Sequence, residues 1–83
     1  MSSSAGNFVM SFGKFAGQSL DEVAGTDAGL RYLDWLLGEL EAGVRMGFTL
    51  GERRAKTLVA LRLYLTDPAI AREVARAVEE AEE

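Results

Sequence analysis

Leu30, Leu33, Leu37 and Leu40 recur at spacings of three and four, the repeat that gathers side chains on one face of an α-helix. Leu36 widens the stripe, with Tyr32 and Trp35 on its flank. Thr26 or Asp27 can cap this helix, and Gly43 reads as its terminator. Gly38 lies inside it at a cost of about 1 kcal/mol against alanine, which suits a close approach by another element. The same period returns twice. Ala55, Leu58, Val59, Leu61, Tyr64 and Leu65 cover a wide arc, as in a helix with neighbours on more than one side, and Thr49 with Glu52 fits a capping box ahead of it. Asp67-Pro68 then pairs a cap with proline at the first helical position. Ile70, Val74, Ala77, Val78 and Ala81 form the last stripe, opposite a polar face where Arg76 and Glu80 are an oppositely charged pair. Three such helices in a chain of 83 residues fill one domain with a small core.

The segment before the helices is of another kind. Met1 to Asn7 is small and polar and reads as a flexible leader, leaving residues 8–83 as the single domain. Phe8, Met10 and Phe12 alternate, the period of a strand. Gly13 and Gly17 bound a turn whose backbone angles suit glycine, and Gln18 to Leu20 can return antiparallel. Ser19 and Glu22 also fit a capping box, so a single helical turn with Leu20 and Val23 inward competes with a strand running to Leu20. Val44 to Phe48 is a connector. The expected fold class is α+β, a small N-terminal β-hairpin packed on a bundle of about three helices.

The side-chain inventory removes much chemistry. There is no histidine and no cysteine, which takes away the commonest general base, the commonest metal ligand and thiolate nucleophiles. Gly13-Lys14 resembles the end of a phosphate loop, but Phe15 stands where a hydroxyl is required and Phe8 where the first glycine belongs. Asp21 and Glu22 are neighbours and diverge on a helix. Asp34 and Glu41 share a face, yet no third inward acid completes a metal set. Glu79, Glu80, Glu82 and Glu83 make a solvated end. These features predict a non-enzymatic protein without cofactor or metal. No run approaches the ~20 apolar residues that span a bilayer, and the first residues lack the basic start and apolar core of a signal peptide. The expected location is the cytoplasm, of the producing cell or of an infected host.

The net charge of −4 opposes strong sequence-independent binding to duplex DNA. It averages over an acidic tail and a basic middle, where Arg45, Arg53, Arg54, Lys56 and Arg62 face Glu52 alone. Arg53, Arg54 and Lys56 fall in the first turns of their helix, where positive charge opposes the helix dipole. A phosphate held there would be one functional explanation.

Phe12-Gly13-Lys14-Phe15-Ala16-Gly17-Gln18-Ser19-Leu20, followed by Tyr32-Leu33-Asp34-Trp35-Leu36, resembles the DUF3820 family, named as quorum-sensing-regulated virulence factors. Similar modules are appended to exonuclease X-like and other DNA-processing enzymes and stand alone in phages. The resemblance covers about Met10 to Leu37. It implies that Phe12, Gly13, Lys14, Phe15, Gly17 and Leu20 build the hairpin and that Tyr32, Leu33, Trp35 and Leu36 form the helix packed on it. It also implies a nucleic-acid-binding accessory role. Ala16 and Gln18 replace lysines frequent in the family, which removes two phosphate contacts. The expected structural core is thus Phe12, Gly13, Gly17, Leu20, Leu33, Trp35 and Leu36. The expected contacts to single-stranded or distorted nucleic acid are Lys14, Phe15, Arg45, Arg53, Arg54 and Lys56. A nuclease, polymerase or other nucleic-acid enzyme is the expected protein partner, and no membrane is involved. The alternative is a protein–protein adaptor or inhibitor, phage-encoded, that acts on a host enzyme without touching nucleic acid.

Overall fold

The computed structural model describes residues 4–81, and among these every regular element is helical. A turn of 3-10 helix, Ser4–Asn7, leads into four α-helices: α1 (Leu20–Val23), α2 (Asp27–Arg45), α3 (Glu52–Leu65) and α4 (Pro68–Ala81). The expected α+β class is therefore corrected. No β-strand occurs among the described residues, and the sole trace of a hairpin is an isolated antiparallel bridge between Val9 and Ser19.

The reason lies in the competing capping signal. Gly13 and Gly17 both take positive φ, +84° and +91°, and turn the chain so that Met10 and Gly17 meet. The Gly17 amide donates to the Met10 carbonyl at 2.8 Å and the Met10 amide to Gln18 at 2.9 Å. The Leu20 amide donates to the Phe8 carbonyl at 3.0 Å, so the pairing reaches Ser19 and Leu20, and a return strand would have to continue beyond them. Instead Ser19 caps α1: its hydroxyl accepts from the Glu22 amide at 3.2 Å while the Glu22 carboxylate accepts from the Ser19 amide at 3.0 Å. The start of α1 at Leu20 thus stops the ladder at a single bridge, short of a strand. The alternation seen in the sequence survives without a sheet. Met10 is buried, Phe8 and Phe12 are half-buried, and Val9 and Ser11 face solvent.

The expected leader lies partly within the described residues. Met1 to Ser3 lie outside the described residues, but Ser4–Asn7 is ordered as a turn on α1 and α3, and Ala5 is part of the core. Gly6 passes so close to the Asp21 carboxylate that a side chain there would collide with it.

Helix α2 begins where Thr26 accepts from the Gly29 amide at 3.0 Å. It runs past the expected stop at Gly43. Gly47, at φ +89°, is the terminator: its amide bonds Val44 and the Phe48 amide bonds Gly43, both at 3.0 Å, a Schellman closure. The close approach expected at Gly38 is likewise elsewhere. A methyl at Gly38 would meet nothing within 4 Å, whereas one at Gly29 would strike the backbone carbonyl of Val23. Helix α3 starts at Glu52 with Gly51 as its cap and no side-chain capping bond, so Thr49 does not cap it. Helix α4 follows the expected pattern, with the Asp67 carboxylate accepting from the Ala69 amide at 2.9 Å. Arg76 pairs with Asp27 of α2 at 3.6 Å, rather than with Glu80.

Met10, Leu20, Val23, Leu33 and Leu61 are buried to within 1 % and anchor the main core, where α1, α2, α3 and the N-terminal turn converge. A smaller cluster of Leu30, Val74 and Ala77 joins α2 to α4. Two buried polar side chains are satisfied by hydrogen bonds. Thr57, fully buried in α3, donates to the Arg53 carbonyl at 2.8 Å. Tyr64, 3 % exposed, donates its hydroxyl to Asp21 at 2.8 Å and so clasps α3 to α1. Burial holds the Tyr64 pKa well above its ordinary value, aided by that hydrogen bond and by the charges of Asp21, Glu73 and Asp67. No helix among the described residues is long and apolar enough to cross a membrane.

Candidate aromatic groove

Trp35 was expected in the core and is 56 % exposed. Helical geometry explains the correction. Each residue turns about 100°, so Trp35 stands about 200° from Leu33 and looks away from the leucine stripe. It is the outer member of an aromatic row. The Phe15 and Tyr32 rings meet edge-on with centroids 5.0 Å apart, and Tyr32 and Trp35 lie at 5.8 Å with a tilt of 39°. Beside this row runs a groove of about 420 Å³ bounded by Phe12, Gly13, Trp35, Leu40, Leu50 and Arg54.

The loop and two helices each supply one wall. Gly13 permits the contact: a side chain there would come within 2.5 Å of the Tyr32 hydroxyl. Tyr32 and Trp35 sit three apart on α2 and therefore rise on one side of it. Arg54 reaches across from α3, its guanidinium 4.8 Å from the Phe12 ring centre, and the Lys14 ammonium lies 5.7 Å from that of Phe15. Both are within cation–π range. Glu39 contributes a carboxylate to the wall. Aromatic faces flanked by cations offer a surface for flat, electron-rich or anionic groups.

Of the residues expected to contact nucleic acid, Lys14, Phe15 and Arg54 therefore gather around the aromatic row. The others do not. Arg45 is exposed in the last turn of α2. Arg53 and Lys56 are exposed on α3, and Lys56 pairs with Glu52 at 3.0 Å. Arg54 and Lys56 diverge by about 200° around the helix, so the basic middle is not one continuous face. Phe15, expected as an exposed ring, is half-buried by Tyr32, and so is Phe8. Among the remaining core expectations, Leu20, Leu33 and Leu36 are buried, Phe12 is half-buried, and Gly13 and Gly17 are exposed turn residues.

Glu41, expected on one face with Asp34, accepts from Arg62 of α3 at 3.2 Å. Among the described residues no group of three or more acids comes together in a way that would hold a metal ion. No family model matches the chain, and neither a curated protein nor a solved structure does.

Proposed function

We propose that this chain is a non-enzymatic binding module that takes single-stranded nucleic acid on its aromatic row, as an accessory to a nucleic-acid-processing complex. The observation that carries this reading is the exposed Trp35, backed by Tyr32 and Phe15 and flanked by Arg54 and Lys14. Base stacking on such rings is worth about 1–3 kcal/mol per base and tolerates any sequence, because every base has a π-face. The cations suit the backbone phosphates. The resemblance to the DUF3820 pattern supports the same role, since the residues that carry it, Phe12 to Gly17 and Tyr32 to Leu36, include two of the three walls of the groove. The net charge of −4 and Glu39 at the groove wall make the interaction weak and strongly salt-dependent.

Trp35 is the sole tryptophan, so its intrinsic fluorescence reports directly on stacking. Titration with single-stranded DNA, RNA and duplex DNA at ~50 mM salt gives quenching and micromolar affinity for the single strands, weakening as salt rises. Trp35→Ala, followed by anisotropy of a labelled strand, and Arg54→Ala each reduce the affinity about tenfold. Unchanged fluorescence and anisotropy up to ~100 μM of every strand overturns the reading, since ordinary non-specific binding lies within that range.

A protein–protein adaptor is the second reading. It is favoured by Val44, Met46 and Phe48, which leave the end of α2 exposed together at 45 %, 74 % and 65 %. Exposed apolar neighbours of this kind mark interaction surfaces.

A further inference from the structure

A second groove, of about 560 Å³, runs where α2, the end of α3 and α4 meet. Its floor is aliphatic: Leu37, Leu65 and Val78 are each half-buried and remain open to it. On the α4 side Ala71 and Ala75 stand exposed four residues apart with the buried Val74 behind them, so between Ala71 and Val78 the exposed lining of that wall is methyl groups only. Asp34 of α2 and Glu79 of α4 supply carboxylates from two walls. None of the side chains that line the groove is basic, and neither acid forms an ion pair among the described residues.

The geometry points to a docking site for a basic amphipathic helix of a partner protein, lying along α4 with its apolar stripe on Leu37, Leu65 and Val78. Three observations select this occupant. Helix axes pack about 8–10 Å apart, and nearest where the contacting side chains are small, and Ala71 and Ala75 provide that approach on one face. From Ala71 to Glu79 the α4 wall runs about 12 Å at 1.5 Å per residue, enough for about two turns of a second helix and its leucines at i, i+3 and i+4. The carboxylates match lysine or arginine on the flanks of such a helix and repel an acidic one, which sets the sign of the partner. The site is separate from the aromatic groove and does not depend on what that groove binds.

The test uses a fluorescent synthetic peptide with a heptad stripe of leucine and lysine on both flanks, and the same peptide with glutamate for lysine. The lysine peptide binds the full chain and the glutamate peptide binds at least about tenfold more weakly. Ala71→Gln with Ala75→Gln keeps the charge, fills the alanine wall on the exposed face of α4, and weakens the lysine peptide about tenfold. Asp34→Asn with Glu79→Gln weakens it several-fold and flattens its salt dependence. Methyl NMR shifts fall on Leu37, Leu65 and Val78. Circular dichroism of both double variants matches the parent, which separates lost docking from lost fold. Unchanged affinity in the alanine-wall variant shows attraction by net charge alone and overturns the proposal. Equal binding of the two peptides, methyl shifts confined to other residues, or occupation of the groove by a second copy of the chain overturns it as well.

Discussion

The same substitution, glycine to alanine, is expected to act with opposite sign at two places on α2. At Gly29 the new methyl would stand 2.7 Å from the Val23 carbonyl carbon and closer still to its oxygen. Ordinary heavy-atom contacts lie at about 3.5 Å, and the oxygen makes the larger demand, so the end of α1 must retreat by more than about 1 Å. No rotamer can absorb this, because the obstructing atoms are backbone. α1 is itself pinned by the Ser19–Glu22 capping box, the burial of Leu20 and Val23, and the Tyr64–Asp21 hydrogen bond. Overpacking costs about 1–3 kcal/mol where side chains yield, and the rigid case belongs at the upper end. Alanine recovers about 1 kcal/mol of helix propensity. The net loss is therefore about 2 kcal/mol or more. At Gly38 the methyl meets nothing within 4 Å, and only the gain of about 0.5–1 kcal/mol remains. The two variants should differ by about 3 kcal/mol, a factor on the order of 100 in the unfolding equilibrium. Urea denaturation followed by far-ultraviolet circular dichroism, with equal slopes for the three proteins, measures this directly. If Gly29→Ala unfolds at or above the parent midpoint, the packing of α1 against α2 described above is wrong.

Other expectations concern single contacts. Trp35→Ala lowers stability by less than about 1 kcal/mol, whereas Leu33→Ala on the same helix costs about 2–5 kcal/mol; chemical melts of the two variants distinguish an exposed ring from a core leucine. Gly17→Ala costs about 1 kcal/mol through its positive φ alone, with no steric partner to displace, and thermal melting reads the loss. Tyr64→Phe costs about 1–2 kcal/mol at neutral pH through the lost hydrogen bond to Asp21. Because the folded Tyr64 pKa is raised, its contribution is complete below about pH 10 and declines above it, as the unfolded chain ionises first, by up to about 1.4 kcal/mol per pH unit. The stability difference between parent and Tyr64→Phe should therefore shrink on the alkaline side, and a difference that stays constant to high pH contradicts the contact.

The long helices were legible because their signal is local. Leucine spacing, Thr26 and Asp67-Pro68 act within a turn of the residues they organise, and α2, α3 and α4 follow them. Errors arose where two local signals overlapped. At Ser19 a strand alternation and a capping box claimed the same residue, and the box prevailed. Near Gly43, composition marked a stop, but the Schellman closure needed a glycine at the left-handed position, and that residue is Gly47. The close contact at Gly29 depends on where α1 ends in space, which no sequence window contains. For the candidate site, Lys14, Phe15 and Arg54 were found by charge and ring chemistry. The resemblance, which packs this helix on the hairpin, sets Trp35 inward, although its angular position about 200° from Leu33 and from Leu37 already places it outside. Splitting Arg54 from Lys56 follows from the same angular count.

The Tyr64–Asp21 clasp has a dynamic consequence. Residues 4–24 have only a few turn bonds and one bridge among themselves and hold to the rest through buried apolar contacts and that clasp, while α2, α3 and α4 each carry a full helical ladder. Segments with few protected backbone bonds open at lower free energy than the global transition. The N-terminal segment should therefore swing free as a unit while the three long helices persist, with Met10 and Gly17 amides exchanging with solvent before those of Leu33 or Leu61. Each such opening carries Phe12 and Gly13 away from Tyr32, so the aromatic groove exists only in the closed population. A ligand that needs both walls is then a latch. It binds with an affinity reduced by the open fraction, and in return it slows amide exchange in a segment most of whose residues it never touches.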